Sequence, residues 1–350
     1  MKEFKVFSEP PEIHSNMLKD IESAKEFVYL ETFEFGNDKI GKQFLDVLIK
    51  KAKQGVKIKL LIDAWGSEVK RDFFKDLEKA GGELRFFKEL RYVIRIFSAN
   101  HERNHRKLTI IDENITYLGS MNITSECLNW RELVLRLQGK ITLKFKQSFF
   151  NHWDFSGKLT KQKLGKIIHK GFELIQDIPA AKFKLTENKY LKLIKNAKKE
   201  ILIETPYFVP SFRIRRALYN AVKRKVSIII LLPHKSDVGI ADIIRNRYLG
   251  KLYRKGIKIN YYLPRNLHSK LLIVDNKFFI LGSSNLDYRS FTHQYELNLF
   301  GEDKKIINYL RNFFMQGIKE SEKFNYNQWK QRSSLNKIIE TMLSYIRKFL

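Results

Sequence analysis

Polar and apolar positions along this chain follow a run of helix and strand periods that occurs twice. Residues 12–67 read as helix, strand, helix, strand. Residues 26–35 predict a strand, 38–54 an amphipathic helix stopped by Gly55, and 56–62 a short buried strand. Residues 187–235 repeat the order, with a helix at 189–199, a strand at 201–207, a helix at 213–225 and a strand at 226–232. Glu31-Thr32 corresponds to Glu204-Thr205, and Val56 to Val226. The pattern predicts an α/β protein made by internal duplication: two pseudo-symmetric lobes, each a mixed β-sheet flanked by helices. The first lobe spans 1–156 and the second 182–325. Between them, 157–181 is polar, lysine-rich and weakly periodic, and reads as a linker. Within the first lobe, 68–80 reads as a helix with Ser67 as its N-cap, and 83–87 as a strand. A basic-aromatic stretch, RYVIRIFSANHERNHRK, follows as a lip over the site or a membrane-facing loop.

Two further apolar runs, LTII at 108–111 and LLIV at 271–274, read as strands and carry the chemistry. The first lies in His105-x-Lys107-x4-Asp112, followed by Gly119-Ser120-x-Asn122. The second repeats this without a slip as His268, Lys270, Asp275, Gly282, Ser283 and Asn285. Alternation along a strand puts His105 and Lys107 on one face and Asp112 on the other, and likewise in the second copy. Glu113-Asn114 and Asn276-Lys277 read as two-residue hairpin turns. Antiparallel pairing would then set Asn122 opposite His105 and Ser120 opposite Lys107, with Asn285 opposite His268 and Ser283 opposite Lys270. The two Asp residues take a structural role at the turn.

This inventory suits phosphoryl chemistry without a metal or cofactor. Lys107, Lys270, Asn122 and Asn285, with Ser120 and Ser283, can hold an anionic phosphoryl group. One imidazole can attack phosphorus while the other protonates the leaving oxygen. A duplication that brings the two hairpins face to face places the active site at the lobe interface.

At these residues the chain resembles the phospholipase D superfamily, defined by paired H-x-K-x4-D motifs. Thr205-Pro206-Tyr207-Phe208-Val209-Pro210, Ser284-Asn285-Leu286-Asp287-Tyr288-Arg289-Ser290-Phe291 and Trp130-Arg131-Glu132 are similar to its cardiolipin synthase branch, which often has Asp where this chain has Glu132. The resemblance implies a phosphatidyl transferase working through a phosphohistidine. It implies catalytic roles for His105, Lys107, Asp112, His268, Lys270 and Asp275, with His105 as nucleophile. It also implies an acidic residue downstream of each motif that orients the histidine. Glu132, 27 residues after His105, and Glu296, 28 after His268, fit that role. Phosphatidylglycerol is the implied substrate, and hydrolysis or nuclease action is the alternative.

Composition refines the partner. Lys and Arg number 66 against 38 Asp and Glu, a net charge of +28 over 350 residues. Such a surplus calls for an anionic partner, either nucleic acid or a membrane surface. The resemblance favours anionic phospholipid at a membrane and no nucleic acid; it leaves the oligomeric state open. The single Cys127 fits a reducing compartment and reads as an ordinary buried thiol. The first residues lack the apolar region of a signal peptide, and no segment approaches about 18 uninterrupted apolar residues. The expected location is therefore the cytoplasmic face of the cell membrane, peripherally bound. The tail at 326–350 reads as a basic amphipathic helix in the membrane interface, which would support this, or as a C-terminal helix packed on its own core. Leu335, Ile338, Ile339, Met342, Leu343, Ile346, Phe349 and Leu350 recur at helical spacing, with Lys330, Arg332, Lys337, Arg347 and Lys348 off the stripe.

Two expectations concern buried polar groups. Glu31 and Glu204 either line the cleft or pair with basic side chains. His14, His101, His152, His169, His234 and His293 lack duplicated partners and read as surface or satisfied histidines.

Overall fold

The computed structural model describes residues 3–87, 102–156, 166–179 and 184–346. The chain forms two compact units: Met1–Leu174 with Tyr295–Leu297, and Ile175–Gln294 with Asn298–Leu350. The basic-aromatic stretch lies outside the described residues up to position 101.

The first unit runs β1 (Glu3–Phe7), α1 (Pro10–Glu22), β2 (Phe27–Thr32), α2 (Lys39–Lys53), β3 (Lys57–Asp63), α3 (Lys75–Lys79) and β4 (Glu83–Phe87). It continues with β5 (Arg103–Asn104), β6 (Leu108–Ile111), β7 (Ile115–Gly119), β8 (Trp130–Arg131), β9 (Val134–Gln138) and α4 (Thr142–Trp153). Seven strands form a sheet in the order β1-β9-β7-β6-β2-β3-β4. β2, β3 and β4 are parallel, and the remaining pairs are antiparallel. Helix α2 shows how closely the local sequence specifies its element. Asp38 caps it, accepting from the Ile40 and Gly41 amides at 2.9 and 3.0 Å. Ile40, Phe44, Leu48 and Ala52 recur on its buried side, and Gly55 just beyond it has φ +86°. Together with Val28, Leu30, Ile58, Leu60 and Ile62 they form the core on this side of the sheet.

Three expectations change here. The strand predicted at 26–35 ends at Thr32, so Phe33–Phe35 turn away as a loop. The helix expected at 68–80 is a 3-10 turn at Arg71–Phe74 followed by α3. Ser67 does not cap it; its hydroxyl accepts from the Phe35 amide at 2.9 Å and donates to the Phe33 carbonyl at 3.1 Å. The expected linker contains a hairpin, β10 (Ile167–His169) and β11 (Phe172–Asp177). Its turn is Lys170-Gly171, with φ of 44° and 82°. Buried Ile167, Phe172 and Leu174 supply an alternation that the surrounding lysines masked. Residues 157–165 and 180–183 of that segment lie outside the described residues.

The second unit runs α5 (Leu185–Asn196), β12 (Glu200–Glu204), α6 (Phe212–Lys223), β13 (Ser227–Pro233), α7 (Gly239–Arg254), β14 (Lys258–Tyr262) and β15 (Asn266–Leu267). Then come β16 (Leu271–Val274), β17 (Phe278–Gly282), α8 (Tyr288–Thr292), β18 (Gln294–Gly301), α9 (Lys304–Lys319), β19 (Ser321–Lys323), α10 (Tyr326–Lys330) and α11 (Ser334–Ile346). Its sheet follows β18-β17-β16-β12-β13-β14-β19, with β12, β13 and β14 parallel. The segment β17-β16-β12-β13-β14 repeats β7-β6-β2-β3-β4 strand for strand, so the duplication extends to topology. No helix among the described residues is long and apolar enough to cross a membrane.

Candidate active site

Each H-x-K pair stands at the entry to the first strand of a buried hairpin. In the first unit β6 pairs with β7 so that Leu108 faces Leu118 and Ile111 faces Ile115. In the second, Leu271 faces Leu281 and Val274 faces Phe278. This register differs by one residue from the expected two-residue turn. Asp112 and Asp275 leave their strands, at φ 52° and 55°, and each joins a three-residue loop. Extending the observed ladder puts Lys107 opposite Gly119 and Lys270 opposite Gly282. The glycine, not the serine, faces the lysine, and the expected serine and asparagine pairings shift accordingly.

The same loops decide the role of the aspartates. Asp112 accepts from the amides of Lys25, Glu26 and Phe27 at 3.1, 2.8 and 3.0 Å. Asp275 accepts from Lys198, Lys199 and Glu200 at 2.8, 2.7 and 3.0 Å. Each carboxylate ties its hairpin turn to the start of β2 or β12. Both lie at the far end of the strand from His105 and His268. Their position is structural, as their facing implied, although they belong to the motif grouped above as catalytic.

His105 is 6% exposed. Its backbone amide donates to the Tyr295 carbonyl at 3.0 Å, which brings Glu296 beside the ring. The imidazole Nδ1 lies 3.0 and 3.1 Å from the two carboxylate oxygens of Glu296. A neutral ring held this way carries its proton on Nδ1 and its lone pair on Nε2, the arrangement a nucleophile needs. Phe33 meets the imidazole edge-on with ring centroids 5.2 Å apart. This corrects the pairing of acids expected from spacing. Glu296 holds His105, the histidine of the other motif copy, and Glu132 accepts from the Ser120 hydroxyl. Equal spacing of 27 and 28 residues could not distinguish a partner in the same copy from one in the other.

Lys107 is buried, and its ammonium donates to the His105 carbonyl at 2.9 Å; Lys270 does the same to His268. Burial pushes the Lys107 ammonium down to about 8, with Glu296 and Glu132 pulling the other way. The Ser120 hydroxyl donates to Glu132 and accepts from the Leu133 amide at 3.0 Å. Ser283 is likewise buried.

Asn122 and Asn285 are positioned by matching threonine devices. Thr32 donates to the Glu34 carbonyl at 3.0 Å, and Thr205 to the Tyr207 carbonyl at 3.1 Å. Phe35 then bridges Ile123, as Phe208 bridges Leu286. The stretch Asn285–Phe291 adds a tight cap. Asp287 accepts from the Ser290 amide at 2.7 Å, and the Ser290 hydroxyl accepts from the Asn285 amide at 3.2 Å. Both asparagines keep a buried Oδ1 without a hydrogen-bond partner among the described residues, the kind of unspent polar capacity that a bound ligand uses. Asn122 Nδ2 reaches Glu34 at 3.1 Å. Glu34 was not anticipated, because it sat inside what read as a strand.

Glu31 and Glu204 are buried ion-pair and hydrogen-bond partners, and Glu31 also lines a small cavity with Thr32 and Lys107. Glu31 meets Arg106 Nε at 3.1 Å and His152 Nδ1, and Arg106 also donates to the Ser148 hydroxyl at 2.8 Å. Burial alone would raise the Glu31 carboxyl; Arg106 and His152 outweigh it and hold it below the usual range. Ser269, at the position matching Arg106, donates to Glu204. Cys127 is buried, and burial drives its thiol far upward, as expected of an inert thiol. No cluster of metal-ligating side chains occurs among the described residues.

The family described as "Cardiolipin synthase, PLD-like domain" matches residues 17–153 and 190–318. The chain belongs to this family. Cardiolipin synthase of Listeria welshimeri is 31% identical over 348 residues, covering 95% of this chain and 72% of the relative. The major cardiolipin synthase ClsA of Bacillus subtilis is 32% identical over 345 residues, covering 93% and 71%. Among solved structures, the phosphatidylserine synthase of Haemophilus influenzae Rd KW20 shares the fold at a TM-score of 0.79 with 12% identity, covering 99% of this chain and 94% of that one. Membership in the cardiolipin synthase family places the chain among the phosphatidyltransferases of the phospholipase D superfamily, and both family segments contain one H-x-K hairpin each.

Proposed function

We propose that this chain joins two phosphatidylglycerol molecules into cardiolipin with release of glycerol. The observation that carries the reading is the Glu296–His105 pair beside buried Lys107, in a hairpin whose every polar motif position recurs at His268, Lys270 and Asn285. His105 Nε2 attacks the phosphorus of the first lipid, and the phosphorus–oxygen bond to the head-group glycerol breaks. His268 gives its proton to that departing oxygen, leaving a phosphatidyl-histidine. A hydroxyl of the second lipid then loses its proton to His268 and attacks the same phosphorus, releasing His105. Lys107 and Lys270, with the amides of Asn122 and Asn285, neutralise the charge that gathers on the phosphoryl oxygens. The lysines supply this charge, so the proposal needs no metal. Glycerol cannot leave without the proton, so both histidines are required.

The test incubates the protein with phosphatidylglycerol vesicles beside H105A and H268A and resolves lipid products by mass. Diphosphatidyl product with free glycerol, absent in both variants, is the expected result. Phosphatidic acid alone would make the enzyme a hydrolase. Cleavage of single-stranded nucleic acid without lipid turnover would overturn the lipid reading.

A further inference from the structure

Helix α11 is amphipathic, yet it is docked with its polar side inward. Glu340 is 3% exposed and Ser344 7%, whereas Leu335, Ile338, Met342 and Tyr345 are 65, 56, 65 and 73% exposed. Of the apolar stripe, Leu343 packs on the core of the second unit. A helix stabilised only by its own fold would turn such a stripe to the core.

The orientation is fixed by a specific anchor. Gly250 of α7 has no side chain, and a Cβ there would stand 2.2 Å from the Trp329 ring. The indole therefore lies flat on α7, and its Nε1 donates to the Asn246 carbonyl at 2.8 Å. Arg332 stacks on that indole with 3.9 Å to the ring centroid. Its guanidinium grips Glu340 through Nε at 2.6 Å and Nη2 at 3.0 Å. A bidentate pair, with Glu340 buried and Arg332 partly exposed, holds the helix by its polar face and leaves the apolar face outward.

We propose that this outward face of α11 docks the protein on a bilayer of anionic phospholipid. Four large apolar side chains on one face of a helix mark an interaction surface and not ordinary surface scatter. The charge decides the occupant. The one carboxylate of α11 is buried against Arg332, so the exposed positions of the helix carry no acid, while Lys337 lies among them. Lys330 precedes the helix, and Lys251, Arg254 and Lys255 are exposed at the end of α7, on which α11 packs. An apolar stripe flanked by cations, on a chain of net charge +28, fits the boundary between acyl chains and anionic head groups. Tyr345, apolar in body and polar at its tip, suits that depth. The choice of phospholipid also rests on the proposed function.

The test compares the full chain with L335S/I338S/M342S and with K337E. Binding is read by co-sedimentation with vesicles of phosphatidylglycerol and phosphatidylcholine. Chemistry is read separately on short-chain phosphatidylglycerol below its micelle concentration. The triple variant is expected to lose vesicle binding and vesicle turnover by about tenfold or more, with turnover of the soluble lipid within about twofold of the parent. K337E is expected to weaken binding to anionic vesicles alone. Vesicle binding unchanged in the triple variant would overturn the proposal, as would a dimer that it converts to monomer without loss of vesicle binding. Should the parent bind vesicles through this face yet turn over no soluble lipid, the transferase reading would fail and the docking surface would stand.

Discussion

The two hairpins repeat every motif position, but the residue between histidine and lysine differs, and so does its surrounding. In the first copy it is Arg106, buried in a charged cluster with Glu31, His152 and Ser148. In the second it is Ser269, bonded to the equivalent Glu204. The glutamate is present in both; it meets charged partners in the first copy and a serine hydroxyl in the second. The motif positions are the same residue type in both copies, whereas the support beneath them needs only to satisfy a buried carboxylate.

The largest expected effect comes from the support of His105. Glu296→Gln keeps the shape and loses the charge that orients the ring and stabilises it when cationic. It should lower kcat about 10²- to 10⁴-fold with little change in KM or melting temperature. Steady-state kinetics on phosphatidylglycerol would check this, and a loss below tenfold would remove Glu296 from the mechanism.

Next come the two supports compared directly. Arg106→Ala strips a partner from a buried charge and should cost about 3–5 kcal/mol of stability. Ser269→Ala removes one hydroxyl and should cost about 1–3 kcal/mol. Denaturant unfolding measures both, and equal losses would erase the contrast. Smaller still, Asp112→Asn and Asp275→Asn keep a residue that tolerates positive φ but weaken three amide bonds each. Each should lose about 2–3 kcal/mol while the folded fraction keeps its turnover. A variant that folds normally yet loses kcat would return that aspartate to the catalytic group.

The sequence already displayed the repeated strand order, the α2 boundaries, the two motif sets and the structural leaning of the aspartates, because periodicity and spacing are local properties. It did not display which acid holds which histidine. That depends on β5 lying beside Tyr295, a contact between residues nearly two hundred positions apart. The turn length was missed for a subtler reason: whether Asp112 ends the strand or opens the loop depends on three amides at and just before the start of β2, which act only once the sheet exists. Ser67 likewise looked like a cap until the Phe33–Phe35 loop left the sheet and needed its hydroxyl.

The same loop gives the smallest and most local contrast. Position 34 is Glu and its counterpart is Tyr207, whose hydroxyl donates to Asp237 at 2.5 Å. Burial, reinforced by Glu126 and Glu68 and opposed by Lys107 and Asn122, pushes the Glu34 carboxyl up to about 7. The protonated acid can donate to Asn122 Oδ1 in the flipped amide, turning both Nδ2 hydrogens toward phosphate; the ionised acid can only accept from Nδ2 and holds it away. Activity should therefore fall as pH rises through about 7, and fall again above about 8 as Lys107 loses its proton. Stability shifts in the same direction. Between the ordinary carboxyl range and about 7 the folded chain keeps a proton that the unfolded chain has released, so this group makes the fold less stable as pH rises across that window. Glu34→Gln should flatten both effects near 7 and leave the limb above 8. An inflection near 7 that survives in E34Q belongs to another group, and Glu34 would then be a neighbour of the first half-site without a part in it.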